Sequence, residues 1–113
     1  MTNNRAIEIS KKKFEFLYEQ DGIPERELKR ELCKIFQCDM RIKRGYLARV
    51  KYADSETAVA LCLRALPDHN DFLNKINNIF ASMFGSTQYL DIIFLTVKQE
   101  NQLEKVCCPF YNR

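Results

Sequence analysis

The stretch GYLARVKYADSETAVALCLRAL, Gly45 to Leu66, decides the fold. Its first part, Gly45–Ala53, alternates. Tyr46, Ala48, Val50 and Tyr52 fall on one side, and Leu47, Arg49 and Lys51 on the other, the period of a half-buried strand. Asp54-Ser55-Glu56 is a short turn. Ala58–Leu66 is then almost continuously apolar, as suits a strand inside a sheet. Two such runs joined by a tight polar turn predict a β-hairpin.

Outward from the hairpin, the pattern switches period twice toward the N-terminus and three times toward the C-terminus. Lys13–Glu19 (KFEFLYE) alternates, with Phe14, Phe16 and Tyr18 on one face. Asp21-Gly22 breaks it. Pro24 then stands at the start of a predicted helix over 24–37, with Glu25 and Glu27 in its first turn and Leu28, Leu32, Ile35 and Phe36 at helical spacing. Beyond the hairpin, Asp68 is a candidate helix cap with Asp71 behind it. Phe72, Ile76, Ile79, Phe80 and Met83 form an apolar stripe, and Gly85 is a natural stop. Tyr89–Leu95 (YLDIIFL) predicts a fourth strand. Thr96-x-x-Gln99 matches a capping box opening a last helix, with Leu103, Val106 and Cys107 inward. Pro109 ends that helix and leaves Phe110-Tyr111 as a terminal anchor.

The order strand, helix, strand, strand, helix, strand, helix predicts an α+β fold. Its first six elements spell the ferredoxin-like βαββαβ sandwich, a four-stranded antiparallel sheet with two helices on one face, here with an added C-terminal helix. In that topology the first strand lies between the third and fourth. Residues 1–12 read as a flexible N-terminal segment or edge element, and 13–113 as a single domain.

Length and composition fit one globular domain. The chain has 113 residues, 46% hydrophobic and 29% charged, and its eight Phe and five Tyr are enough for a core. No apolar run approaches the roughly 20 residues of a membrane helix. Met1–Arg5 is not followed by an apolar segment, so no secretory signal is expected. The net charge is +3, concentrated in residues 1–44, which carry eleven basic and eight acidic side chains. The clusters Lys11-Lys12-Lys13 and Arg41-Ile42-Lys43-Arg44 make the difference. They read as solvated charge flanking a strand and a loop rather than as a nucleic-acid face. Five cysteines (Cys33, Cys38, Cys62, Cys107 and Cys108), odd in number and irregular in spacing, argue for free thiols in a reducing cytoplasm rather than a disulfide framework. With no Cys-x-x-Cys pair and one His, a zinc site lacks ligands.

If the more apolar side of each strand meets the helices, the opposite face is the candidate surface. It carries Glu15, Leu17 and Glu19; Leu47, Arg49 and Lys51; Cys62 and Arg64; and Tyr89, Asp91, Ile93 and Leu95. Asp91 stands out, since a carboxylate amid Tyr-Leu-Asp-Ile-Ile-Phe-Leu opposes both strand preference and burial. It is expected either to pair with Arg49, Arg64 or Lys51, or to hold a ligand or partner. RNA recognition through this sheet is weakly supported, because Phe14, Phe16, Tyr46 and Tyr52 fall on the predicted helix side and only Tyr89 is left to stack.

Catalytic signals are thin. His69 follows Asp68 at a helix start and has no evident partner. Cys107 to Arg113 has the Cys-x5-Arg spacing of phosphatase and sulfurtransferase loops, but Cys38 to Arg44 has it too, and neither contains the Gly-rich helix start that cradles an anion. The vicinal Cys107-Cys108 pair is a redox candidate against the plainer reading of one buried and one exposed thiol. No Walker loop, dinucleotide fingerprint, nucleophile elbow or zinc-protease helix occurs, and no cofactor is expected.

Several segments together carry a family likeness: Pro24 before a Leu-rich helix, Tyr46-Leu47-Ala48, Leu90-Asp91-Ile92-Ile93-Phe94-Leu95, and the ending Val106-Cys107-Cys108-Pro109-Phe110-Tyr111. Over about residues 13–111 the chain resembles the C-terminal domain of the bacterial enhanced-serine-sensitivity protein (SseB) family. The resemblance implies no catalytic residues. Its shared positions, Tyr46, Asp91, Pro109, Phe110 and Tyr111, can be structural as readily as functional. Members commonly carry an N-terminal domain, for which this chain has too few upstream residues, so a stand-alone version or an excised piece is expected.

The function expected is a non-enzymatic cytoplasmic binding or regulatory module. Its surface would comprise Arg49, Lys51, Arg64, Tyr89, Asp91, Phe110 and Tyr111, and its partner would be another protein or a second copy. The alternatives are a small thiol enzyme or sulfur-transfer accessory using Cys107 or Cys108 and, more weakly, an RNA-binding domain.

Overall fold

The hairpin forms where its alternation and turn place it. In the computed structural model, which describes residues 14–66, 70–85 and 90–113, β2 (Ile42–Tyr52) pairs antiparallel with β3 (Thr57–Ala65). Tyr46 faces Cys62 across the pair, Ala48 faces Ala60 and Val50 faces Ala58. The turn closes through Tyr52 N–H to Glu56 O at 2.8 Å and Ser55 N–H to Tyr52 O at 2.9 Å. Expectations for residues 1–13, Asp68, His69 and Tyr89, and for the side chains of Asp71 and Phe72, lie outside the described residues.

The other elements are β1 (Phe14–Glu19), α1 (Ile23–Gln37), α2 (Asn70–Phe84), β4 (Asp91–Phe94), α3 (Val97–Leu103) and a short β5 (Tyr111–Asn112). α1 begins at Ile23-Pro24, where proline gives up no needed hydrogen bond, with Glu25 in the first turn. α2 ends at Gly85, whose φ of 90° only glycine adopts without strain. No described helix is long and apolar enough to cross a membrane.

The α+β class is as expected, but the strand order is not the ferredoxin-like one. The sheet runs β1-β2-β3-β4, with β5 paired to β2 and β4 parallel to β3. β1 lies beside β2 rather than between β3 and β4. The reason lies in the unequal lengths of the strands. β1 covers β2 only from Ala48 to Tyr52 and leaves the first half of the eleven-residue strand unpaired on that side. α1, about 22 Å long at 1.5 Å per residue, carries the chain from the end of β1 to the start of β2. The vacant edge is then taken by the C-terminus. Phe110 N–H bonds Gly45 O at 2.9 Å, and Arg113 N–H bonds Lys43 O at 2.8 Å.

Both faces of the sheet are packed. On one face, α1 and α2 bury Leu28, Leu32, Phe36 and Ile76 against Ile42, Leu47, Leu61, Leu63 and Ile92. On the other, α3 and the chain after it cover Tyr46, Ala48, Val50, Ala60, Cys62, Ile93 and Leu95, adding Leu103 and Cys107. The expected sidedness is therefore corrected for β1 and β2. Phe14, Phe16, Tyr46, Ala48, Val50 and Tyr52 lie toward α3, while Leu47 lies under the two long helices. Ranking faces by apolarity failed because a sheet covered on both sides is apolar on both. A register shift between Phe16 and Tyr18 also turns Tyr18 away from the other two aromatics, opposite Arg49, where it is 54% exposed.

Candidate binding site

The densest polar constellation sits where α3 meets the sheet. Thr96 opens α3 with the predicted capping box. Its Oγ1 accepts from Gln99 N–H at 3.1 Å, and its own N–H donates to Gln99 Oε1 at 2.9 Å. This start directs Glu100, Leu103 and Cys107 inward, all three buried. Glu100 is 6% exposed, a burial a carboxylate tolerates only when paired.

Its partners come from β2 and β3. Arg44 donates through Nε to Oε2 and through Nη2 to Oε1, the latter at 2.9 Å, a bidentate fork. The Tyr46 hydroxyl donates to Oε2 at 2.6 Å and also lies 3.2 Å from Glu104 Oε2. Arg64 stands directly opposite Arg44 in the strand register. Its Nε comes within 3.2 Å of Oε1, close enough for ion pairing but out of line for a hydrogen bond, and no other acceptor among the described residues meets that buried nitrogen. Arg64 Nη1 donates to Leu95 O at 3.0 Å.

These contacts move Glu100, Tyr46 and Arg44 further from neutrality. The Arg44 hydrogen bonds hold the Glu100 carboxyl below its ordinary range, outweighing the opposing effect of burial. Burial and then Glu100 push the Tyr46 phenol up. Arg44 is pushed up chiefly by its bond to Glu100.

Asp91 is 1% exposed and accepts a short hydrogen bond from the Tyr52 hydroxyl. The phenol reaches it across β3, where Ala58 and Ala60 leave room. None of the three expected ion-pair partners takes this role. Arg49 Nε donates to Gln20 Oε1 at 3.2 Å and its Nη1 to Thr57 Oγ1 at 3.3 Å, while Arg64 turns to Glu100. Lys51 is exposed at the far end of β2, opposite Glu15 and Thr57.

The terminal aromatics are built into the core. Phe110 and Tyr111 flank Phe36, with ring centroids 5.9 and 5.3 Å away. Arg113 Nη2 donates to the α1 carbonyls of Phe36 at 2.8 Å and Gln37 at 3.3 Å, closing that helix end. The arginines of both Cys-x5-Arg spacings are engaged elsewhere: Arg113 caps α1, and Arg44 holds Glu100. Burial, with Glu19 adding to it, pushes the Cys107 thiol up to about 12, and burial raises Cys62 and Cys33 as well. Cys108 is exposed, its N–H donating to Glu19 Oε1 at 3.2 Å.

The expected surface is therefore dispersed. Arg49 and Lys51 stand on the long-helix side, Arg64 at the α3 junction, Asp91 inside, and Phe110 and Tyr111 against Phe36. Sequence reasoning missed Arg44, Tyr46 and Glu100 as a set. One available signal was the i, i+3, i+7 spacing of Glu100, Leu103 and Cys107, which places the acid on the buried stripe. No protein-family model, no curated protein and no solved structure matches the chain.

Proposed function

We propose that this chain is a cytoplasmic, non-enzymatic binding module. In this reading it is akin to the SseB C-terminal domain and meets a protein partner at the junction of α3 with the ends of β2 and β3. One observation carries the proposal. The buried carboxylate that could serve as an acid or base is tied to Arg44 and Tyr46, with its titration moved away from neutral pH, while parts of the Arg44 and Arg64 side chains still face solvent. Such a site can recognise charge; it is poorly placed to transfer protons. The elevated Cys107 thiol weighs against a thiol enzyme in the same way. Burial of Tyr46 and packing of Phe14, Phe16 and Tyr52 against the α3 core weigh against an RNA-stacking sheet.

Leu66 and Val97 border the junction, 57% and 60% exposed. Affinity capture from a lysate of the source cell, with nuclease, tests the reading. The wild type should retain a protein that L66D and V97D variants lose. If the wild type retains only further copies of itself, self-association replaces a separate partner. Retention unchanged in both variants overturns this surface.

A further inference from the structure

Among the described residues, Arg44 and Arg64 share one buried carboxylate at the α3 junction. Arg44 and Arg64 are directly opposed across β2 and β3, an arrangement that is destabilising for like charges unless a counter-charge intervenes. Glu100 supplies one negative charge to two guanidinium groups. Glu104, the next acid among the described residues, is exposed and meets the Tyr46 hydroxyl at 3.2 Å. Each arginine also keeps an end without an acceptor among the described residues. Arg44 uses Nε and Nη2 on Glu100 and leaves Nη1; Arg64 uses Nη1 on Leu95 O and leaves Nη2. The two side chains are 33% and 30% exposed, so these ends are reachable from solvent.

Their surroundings are apolar. Strand alternation puts Leu66 on the same face as Arg64, and its N–H bonds Arg41 O at 3.1 Å, which continues the β2–β3 pairing past Ala65. Val97 follows Thr96 directly after Leu95, whose carbonyl Arg64 holds. Two exposed aliphatic side chains, one two residues beyond Arg64 and one a turn before Glu100, thus accompany two guanidinium groups that share one buried carboxylate.

We propose that the outward ends of Arg44 and Arg64 bind a single carboxylate of a peptide partner, with an apolar side chain beside it resting on Leu66 and Val97. This rests on the binding-module reading above and gives it a ligand chemistry. A carboxylate fits better than a phosphate group. One negative charge completes the balance with Glu100, and its planar oxygens suit guanidinium ends, whereas a dianion adds repulsion against Glu100.

The shared chemistry has two sources in a peptide, the chain terminus and an Asp or Glu side chain. N-acetyl-leucine supplies the first, and N-acetyl-aspartyl-leucine amide the second. N-acetyl-leucine amide and inorganic phosphate are controls. Each is titrated into the full chain at constant ionic strength while the Arg44 and Arg64 Nε–H signals are followed by nitrogen-15 NMR. At least one carboxylate probe should shift both signals saturably, and the one that does names the source. The neutral amide should not shift them, and phosphate should do so more weakly. R64Q and L66D should each weaken the binding by about tenfold or more, L66D being at an exposed site that leaves the fold intact. No saturable shift with either carboxylate, or phosphate binding as tightly as the better carboxylate, overturns the proposal. If the probes fail while L66D and V97D still abolish partner capture, the partner surface stands and only its carboxylate chemistry falls.

Discussion

The Tyr46 hydroxyl donates to Glu100 Oε2 over 2.6 Å and so pins α3 to the longest strand of the sheet. Both groups are buried, and removing either takes one hydrogen bond from the other. Y46F should cost about 1–2 kcal/mol, and E100A about 3 kcal/mol or more because it strands Arg44 as well. Urea unfolding of the single and double variants tests this. The double variant should fall short of the sum by about 1 kcal/mol or more, the mark of direct coupling.

Stability should depend on pH at both extremes through this pair. The Glu100 carboxyl lies below its ordinary 4.5 in the folded chain. Its contribution is therefore complete above that value and drains away as the pH falls further. The Tyr46 phenol lies above its ordinary 10.0, so its contribution is complete below that value and lost as the pH climbs. Unfolding free energies measured across pH should show E100Q removing part of the acid-side decline and Y46F part of the alkaline one. Unchanged slopes would contradict the assignment.

Thiol labelling should divide the cysteines by position. Cys38 and Cys108 are exposed, whereas Cys62 and Cys107 are buried with raised thiols. Alkylation of the native chain near neutral pH, mapped by peptide mass spectrometry, should mark Cys38 and Cys108 first. Cys62 and Cys107 should react only on unfolding. Native labelling of Cys107 as fast as Cys108 would reopen the redox reading.

Gly45 is set by a close approach rather than by backbone conformation. A Cβ there would meet Phe36 Cε2 at 3.0 Å and Phe110 Cζ at 3.3 Å. G45A should lower stability by about 1 kcal/mol and G45V by about 3 kcal/mol, as the aromatic pair is forced apart. Thermal unfolding reads both, and a smaller cost of G45A in an F110L background, with the Phe36 contact left in place, would confirm the Phe110 share of the clash, whereas an unchanged cost would refute it.

Local signals proved legible. The hairpin, Pro24 at the start of α1, the capping box of α3 and the stop at Gly85 all follow from short-range chemistry written within a few residues. Strand order did not. Nothing in Lys13–Glu19 says that β1 stops halfway along β2, and that unequal length lets the C-terminus enter the sheet. Sidedness failed for a related reason. Tyr46, Ala48 and Val50 are an apolar face of β2, yet Leu47 is buried on the other, because helices cover both.

The site was less legible because its partners are distant in sequence. Arg44 looked like one member of a basic run, and only the α3 capping box brings Glu100 to it. Asp91 was rightly singled out as unusual. Its Tyr52 partner was hidden because the phenol reaches across an intervening strand, past alanines whose smallness carried no polar signal.

The shared edge of β2 also bears on how the chain matures. β1 can occupy its half of that edge as soon as β2 is made, but Gly45 waits for Tyr111, which lies far along the chain beyond two further strands and two helices. Until that later segment joins the sheet, the main-chain groups of Lys43 and Gly45 and one side of Phe36 lack the cover that Phe110 to Arg113 give them. A chain in which that segment has yet to dock would therefore present an open strand to its neighbours, a template for association that the folded chain closes with its own β5.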